Sequence, residues 1–278
     1  MKIRTILKNI DVDSVMHEND KSTINKLNKI PGFKGLVDNT VGNIMERCGE
    51  IEYHGEGINV TPKSMSQLHC QLLEACRILE MSEIPSFSVD WWFGIGGFTV
   101  GEKHHRMVLQ SGAIDLLSPE ELFFLIGHEL GHMKCGHKRY HMLTEALYIP
   151  LVNSDLKIWM SLIKMPLLNW YRYSDFTADR MGLLCCQDLS VVLSTMIKMA
   201  GLPKKYHNEI NIEAFIRQAA DFNNNQTSSI DRFIKYLSIN TASMPWLVLR
   251  VAELLKWYQL GEYDKIINQN KKLLKFHK

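Results

Sequence analysis

The 278-residue sequence has no C-x-x-C pair, no strong charge of either sign, no internal repeat and no low-complexity tract. Each absence excludes a class. The six cysteines (Cys48, Cys70, Cys76, Cys135, Cys185 and Cys186) lack the spacing of a structural zinc site or a dithiol redox motif. They are expected as reduced core thiols. A formal net charge of +2 gives no reason to propose nucleic acid or an anionic membrane as partner. The lysines near the end (Lys271, Lys272, Lys275, Lys278) suit a solvated helix face. Met1 to Ile30 alternates charged and apolar residues and holds no apolar segment of signal-peptide length. The most apolar region, Ala146 to Trp170, is interrupted by Asn153, Asp155, Lys157 and Lys164. It falls short of the roughly 20 apolar residues that a membrane span needs. A soluble, cytoplasmic protein with no membrane span is the expectation.

What is present suits a large globular core: 46% hydrophobic and 22% charged residues are ordinary values. The fourteen methionines fit an adaptable core, and the six tryptophans are expected as core or groove aromatics. The predicted organisation is an N-terminal helical region, 1–60, followed by 61–278, or one continuous domain. Gly55-Glu56-Gly57 suggests a small hairpin. Thr61-Pro62 opens a predicted helix to about Glu80, with Leu68, Leu72, Cys76 and Leu79 at helical spacing. Ser86–Trp92, Gly97–Val100 and Arg106–Gln110 are predicted strands. Beyond about 137 the chain is predicted mostly helical, with one stretch to Tyr171 and a separate helix from Tyr173 to Gln187. Further helices are predicted at 190–200, 211–222, around Ile230, after Pro245 and from Glu262 onward, with a polar loop at 223–229. The fold class is α+β, mostly helical, with a small sheet beside one buried helix.

That helix begins at Ser118-Pro119-Glu120-Glu121, a capping-box signature followed at once by an apolar run. It carries His128-Glu129-Leu130-Gly131-His132. Histidines four residues apart project from one face on successive turns and can bind one zinc ion. Glu129 is rotated by roughly 100° from His128 and need not bind the metal. It can instead take a proton from an attacking water that a Lewis-acidic zinc has made more acidic. Catalytic zinc usually takes a third protein ligand. A Gly three residues and a His six residues after His132 would continue one known pattern, but Cys135 and Lys138 stand there. His137 and His141 could contribute only if the chain bent back sharply, and suit polar surface or supporting positions. Asp175 and Asp179, one helical turn apart, are the other candidates. The first could bind metal and the second could accept from the far nitrogen of a ligating imidazole.

Over most of its length the chain resembles the HtpX/CAAX-prenyl-endopeptidase-type zinc metallopeptidases, a gluzincin family. The resemblance rests on Leu27 to Phe33 (L-N-K-I-P-G-F), Ile84-Pro85, Phe98-Thr99-Val100-Gly101 and Ser111-Gly112. It continues through Leu117 to Leu122 before His-Glu-Leu-Gly-His, then Ala178 to Leu184, Lys198 to Gly201, and Pro245-Trp246 through Arg250. It implies a zincin-like metallopeptidase with one Zn2+ per chain on His128, His132 and Asp175, Glu129 as general base, and Asp179 supporting a ligand. Two positions depart from the family pattern. Asp175 stands where Glu is usual, so its helix must approach by roughly 1 Å more. Met244-Pro245 stands where the family has His-Pro, and Met cannot donate the hydrogen bond that helps an oxyanion. Arg250, Tyr171 or Tyr173 are the candidate substitutes.

The implied activity is endopeptidase cleavage of a peptide or protein laid along an edge strand near Gly97–Gly101. Glycine there lets another backbone approach closely. The alternative is a zinc-binding scaffold or pseudopeptidase with little or no turnover, toward which Asp175 and Met244 both point.

Overall fold

The computed structural model describes residues 3–40, 55, 57–101, 104–146, 154–224 and 245–276. The chain enters through three helices, α1 (Val12–Val15), α2 (Glu18–Asn28) and α3 (Phe33–Thr40). Strand β1 (Ile58–Asn59) leads to helix α4 (Ser66–Ile78), and strands β2 (Ser86–Asp90), β3 (Gly97–Val100) and β4 (Arg106–Gln110) follow. Next come α5 (Ser111–Leu116), α6 (Pro119–Lys134), α7 (Lys138–Ala146) and α8 (Ser154–Cys186). The chain closes with α9 (Leu189–Met199), α10 (Ile212–Asn224), α11 (Leu247–Gln259) and α12 (Glu262–Phe276). This is the expected α+β architecture.

The sheet order is β1-β2-β4-β3, with β2 and β4 parallel and the outer pairs antiparallel. Strand β3 therefore forms one edge. Gln110 N–H donates to Gly96 C=O at 3.0 Å, which sets the phase of the β3–β4 ladder. Hydrogen-bonded pairs alternate along an antiparallel ladder, so Phe98 and Val100 bond to β4 while the backbone groups of Gly97 and Thr99 face the open side.

Helix α6 is buried almost all round. Ser118 caps it by accepting from Glu121 N–H at 3.4 Å, and the Glu121 carboxylate accepts from Ser118 N–H at 2.7 Å. Its main partner is α8, and the two pack through glycine. A Cβ on Gly127 would meet Cys185 Cβ at 2.5 Å, and one on Gly131 would meet Met181 Cβ at 2.6 Å. From the other side, a Cβ on Gly182 would meet the Phe124 ring at 2.6 Å. Bare backbone on these faces lets the two helices approach closely.

Several boundaries differ from expectation. The helix predicted to open at Thr61-Pro62 begins at Ser66. Thr61 and Ser64 exchange backbone hydrogen bonds in a tight turn, and Met65, with φ 57°, enters the left-handed region before the helix starts. The separate helices predicted on either side of Tyr171–Tyr173 are one continuous helix, α8, which contains Pro166. Strand β1 pairs with β2 rather than within a local hairpin, and most of the expected Gly55-Glu56-Gly57 turn, the 223–229 loop, the start of the helix expected near 230 and Met244 lie outside the described residues. The N-terminal residues share the main core: Leu7 and Val15 join the buried cluster that holds Phe123, Leu183 and Leu254. Trp170 and Trp257 are core residues, but Trp91 and Trp92 are 69% and 60% exposed on the loop before β3. No disulfide joins the five cysteines among the described residues; Cys76, Cys185 and Cys186 are buried, whereas Cys70 is exposed.

Candidate metal centre

Side-chain nitrogens and a carboxylate from α6 and α8 converge between the two helices. One ligand atom from each of His128, His132 and Asp175 lies within 4.8 Å of the other two, and all three residues are buried. His128 Nε2 is 3.2 Å from His132 Nε2, and His132 Nε2 is 3.3 Å from Asp175 Oδ1. Asp175 Oδ2 has no hydrogen-bond partner. A buried carboxylate oxygen without a donor costs free energy unless a cation meets it. Burial, opposed by Arg250 and His128 and helped by the charges of Asp179 and Glu129, pushes the Asp175 carboxyl up to about 6. His132 is held well below the usual histidine value, first by burial and then by the neighbouring His141, His128 and Lys138. Two imidazoles and an acid converging on one point fit a divalent metal ion, and the donor set N, N, O is one that zinc accepts.

The groups behind the donors fix their orientation. His128 turns Nδ1 to Asp179 Oδ1 at 3.0 Å. Arg250 donates from Nε to Asp179 Oδ2 at 2.8 Å and from Nη2 to Asp179 Oδ1 at 2.5 Å. Burial alone would raise the Asp179 carboxyl, but Arg250 and the hydrogen bond to His128 hold it below its ordinary range. Arg250 thus engages Asp179 on the Nδ1 side of His128. Tyr171 stacks on His141, with ring centroids 4.2 Å apart, and Tyr173 stacks on His17 at 5.7 Å.

Glu129 is buried between α6 and the sheet, and its Oε2 accepts from Thr99 Oγ1 at 3.2 Å. The Gly97 backbone borders the same carboxylate: a Cβ there would stand 3.4 Å from Glu129 Cγ. Lys138, at the start of α7, is buried and donates from Nζ to the Thr99 carbonyl at 2.8 Å. Sequence reasoning missed Thr99 and Lys138, because sheet pairing and a helix start bring them to the site rather than any spacing. His137 and His141, expected at the surface or in supporting positions, are both buried. The chain does bend back: Gly136, with φ 69°, reverses its direction, and His137 N–H donates to the His132 carbonyl at 3.0 Å. The glycine just past the helix end was the available signal.

Cys135 is not part of the cluster, and burial pushes its thiol well up. Among the described residues no helix is long and apolar enough to cross a membrane.

Comparison with known proteins agrees with this geometry. The chain is 30% identical over 271 residues to plastoglobule-localized metallopeptidase 48, chloroplastic, of Arabidopsis thaliana, covering 95% of this chain and 78% of that protein. No solved structure matches the chain. The description of peptidase family M48 matches residues 62–258, a span that takes in both helices bearing the converging donors. On these grounds the chain belongs to peptidase family M48, and it is a metalloprotease acting on peptides or proteins.

Proposed function

We propose that the protein is a zinc-dependent endopeptidase with one Zn2+ per chain, held by His128 Nε2, His132 Nε2 and Asp175. The observation that carries this reading is the convergence of those three donors, one carboxylate oxygen of which has no other partner. Bound there, zinc supplies Lewis-acid polarisation of the scissile carbonyl and makes an attacking water more acidic. Glu129 takes the proton from that water on a carboxylate oxygen and delivers it to the leaving amine. Thr99 Oγ1 fixes the carboxylate for this task by donating to Oε2. Asp179 keeps the His128 proton on Nδ1, so that Nε2 is free to bind metal. Arg250 donates from Nε and Nη2 to Asp179 and in this reading anchors that acid; a contact to the oxyanion from its other donors stays part of the same proposal.

The substrate lies extended and antiparallel to the outer edge of β3, pairing with the backbone of Gly97 beside Glu129. Lys138 already fills the Thr99 carbonyl, so Gly97 is the point where a substrate backbone docks closest to the base. A cytoplasmic location remains the reading taken from the sequence, and fractionation of the native host decides it. The related Arabidopsis protein is named for plastoglobules and the chloroplast.

The test is cleavage of unfolded casein by wild type and by Glu129→Gln, with zinc content measured in both. Zinc retained and cleavage lost by at least about 10²-fold in the variant supports the assignment. Cleavage that persists in Glu129→Gln overturns the general base, and no cleavage by a zinc-loaded wild type on any unfolded substrate favours the scaffold. Asp175→Ala is expected to lose zinc while Asp175→Glu keeps it; undiminished zinc in the alanine variant would remove Asp175 from the ligand set.

A further inference from the structure

Behind His132 stand a second imidazole and a carboxylate that comes from the far end of the chain. His132 turns Nε2 toward His128 and Asp175, at 3.2 Å and 3.3 Å. A histidine that binds metal through Nε2 carries its hydrogen on Nδ1. That Nδ1 is 3.0 Å from Nδ1 of His137. Two facing nitrogens at this distance can share one hydrogen; with His132 bound to metal through Nε2, His132 would donate, His137 would accept, and His137 would bear its own hydrogen on Nε2. His137 Nε2 is 3.0 Å from Asp20 Oδ2, within ion-pair distance, though its N–H does not point along a hydrogen bond to that oxygen.

Asp20 is fully buried and held in place by donors on both oxygens. Trp170 Nε1 donates to Oδ1 at 2.7 Å, and Thr177 Oγ1 donates to Oδ2 at 2.5 Å. Thr177 Oγ1 in turn accepts from His17 N–H at 3.0 Å. Trp170 and Thr177 both belong to α8, the helix of Asp175 and Asp179, whereas Asp20 belongs to α2. Asp20 also precedes residues 62–258, the part matched by the family description.

We propose that Asp20 is a positioning residue for the metal centre, acting through His137 to hold His132 in the tautomer whose Nε2 binds zinc. The proposal rests on His132 being a zinc ligand. Its chemical content is a directed chain from the Asp20 carboxylate, which requires a donor, to His137 Nε2–H, then from His137 Nδ1, which requires a donor, to His132 Nδ1–H. An asparagine at position 20 can present an N–H to His137 Nε2 in place of an oxygen. That would place the His137 hydrogen on Nδ1, facing the hydrogen of His132 Nδ1, and the chain of donors would break. The N-terminal segment would thus contribute to metal affinity without touching the metal.

The experiment measures zinc affinity of full-length protein by competition with a chromophoric chelator, for wild type, Asp20→Asn, His137→Phe and the double variant. Thermal melting of each metal-free protein reports on folding. Co2+ absorption spectra report on the geometry at the ligands. Asp20→Asn and His137→Phe are each expected to weaken zinc binding by about 10- to 100-fold. The double variant should be no weaker than the more affected single one, because both changes cut one chain. Wild-type affinity in either single variant, in a protein that melts normally, overturns the proposal. So do losses that add in the double variant, since they would describe two independent packing defects. If Asp20→Asn does not fold, His137→Phe decides by the same affinity criterion. His132→Ala serves as the check on the ligand itself. Zinc binding that survives in it would defeat the metal-site reading, an outcome distinct from failure of the Asp20 chain.

Discussion

Glu121 shows one residue doing two jobs at the start of α6. One carboxylate oxygen closes the capping box on Ser118 N–H, and the same acid accepts from Lys198 Nζ at 2.7 Å and from Ser194 Oγ at 2.7 Å. The capping box was legible from four consecutive residues; the bonds to α9 were not, because they join positions far apart in the chain. Burial raises the Glu121 carboxyl, but Lys198, Ser194 and Ser118 outweigh it and leave it below its ordinary value of 4.5. A lowered folded value means that the stabilisation is complete above 4.5 and disappears as pH falls through the lower folded value. Glu121→Gln is expected to cost about 2 kcal/mol at pH 7, the worth of charge-assisted hydrogen bonds to a buried partner. Urea titrations at pH 7 and pH 3 check it, since the difference from wild type should shrink at the lower pH. The metal-site acids follow the same division of legibility. Histidines at i and i+4 could be read directly, and Asp175 with Asp179 could be read as a pair on one face. Whether Asp175 reached the histidines was left open by spacing alone, since that depends on how α8 docks. Asp20 had no signal at all, because only the folded chain brings α2 against α8.

At the scale of the element, the pairing of α6 with α8 explains how a short carboxylate reaches the histidines. Aspartate in place of glutamate demands a closer helix, and Gly127, Gly131 and Gly182 remove the side chains that would keep the two apart. Gly131→Ala places a methyl 2.6 Å from Met181 Cβ, so the helices must separate. We expect a loss of about 1–3 kcal/mol, as for overpacked cores, together with weaker zinc binding. Gly35→Ala, whose Cβ meets nothing within 4 Å, is the control: it should leave zinc binding unchanged and, as a helical glycine replaced by alanine, should not destabilise the fold. Melting curves and zinc titration of both variants make the comparison. The strands were legible because Phe87 and Val89 alternate and glycines punctuate the turns, and β3 and β4 fall at the expected bounds. The continuity of α8 was not legible. It carries an internal proline, usually a stop signal, and its apolar face changes partners along its length. The upper part, through Leu167 and Trp170, joins a cluster with Leu27, Phe33 and Leu143, and the lower part, through Leu183 and Leu184, joins another with Phe124 and Leu130.

At the scale of the whole molecule, the metal site gathers three buried carboxylates, Glu129, Asp175 and Asp179, around one buried guanidinium, Arg250. With a divalent cation held there as proposed, removing it would leave excess negative charge out of water, so zinc binding and folding would be linked. Chelation with excess EDTA is expected to lower the melting temperature. For a ligand present at a thousand times its dissociation constant the linkage is worth about 4 kcal/mol, or about 8–16 °C in a protein of this size. Restoration by added zinc, but not by magnesium, is the measurement that checks it. The first residues are built into the same body. Leu7 N–H donates to the Ile78 carbonyl at 2.9 Å, and Thr5 and Gln187 exchange hydrogen bonds of 2.8 Å and 2.6 Å. Truncations at the front of the chain should therefore reach the melting temperature as well.

The position of β3 at the rim of the sheet carries one more consequence. A guest docked there as proposed would be measured by the spacing of its peptide units, a feature common to all polypeptides, and hardly by the identity of its side chains. Such an edge would tolerate many sequences yet refuse any segment already coiled into a helix or locked into another sheet. Selection would then turn on whether a stretch of a client protein can be drawn out straight, making local unravelling, more than a recognition code, the event that exposes it to cutting.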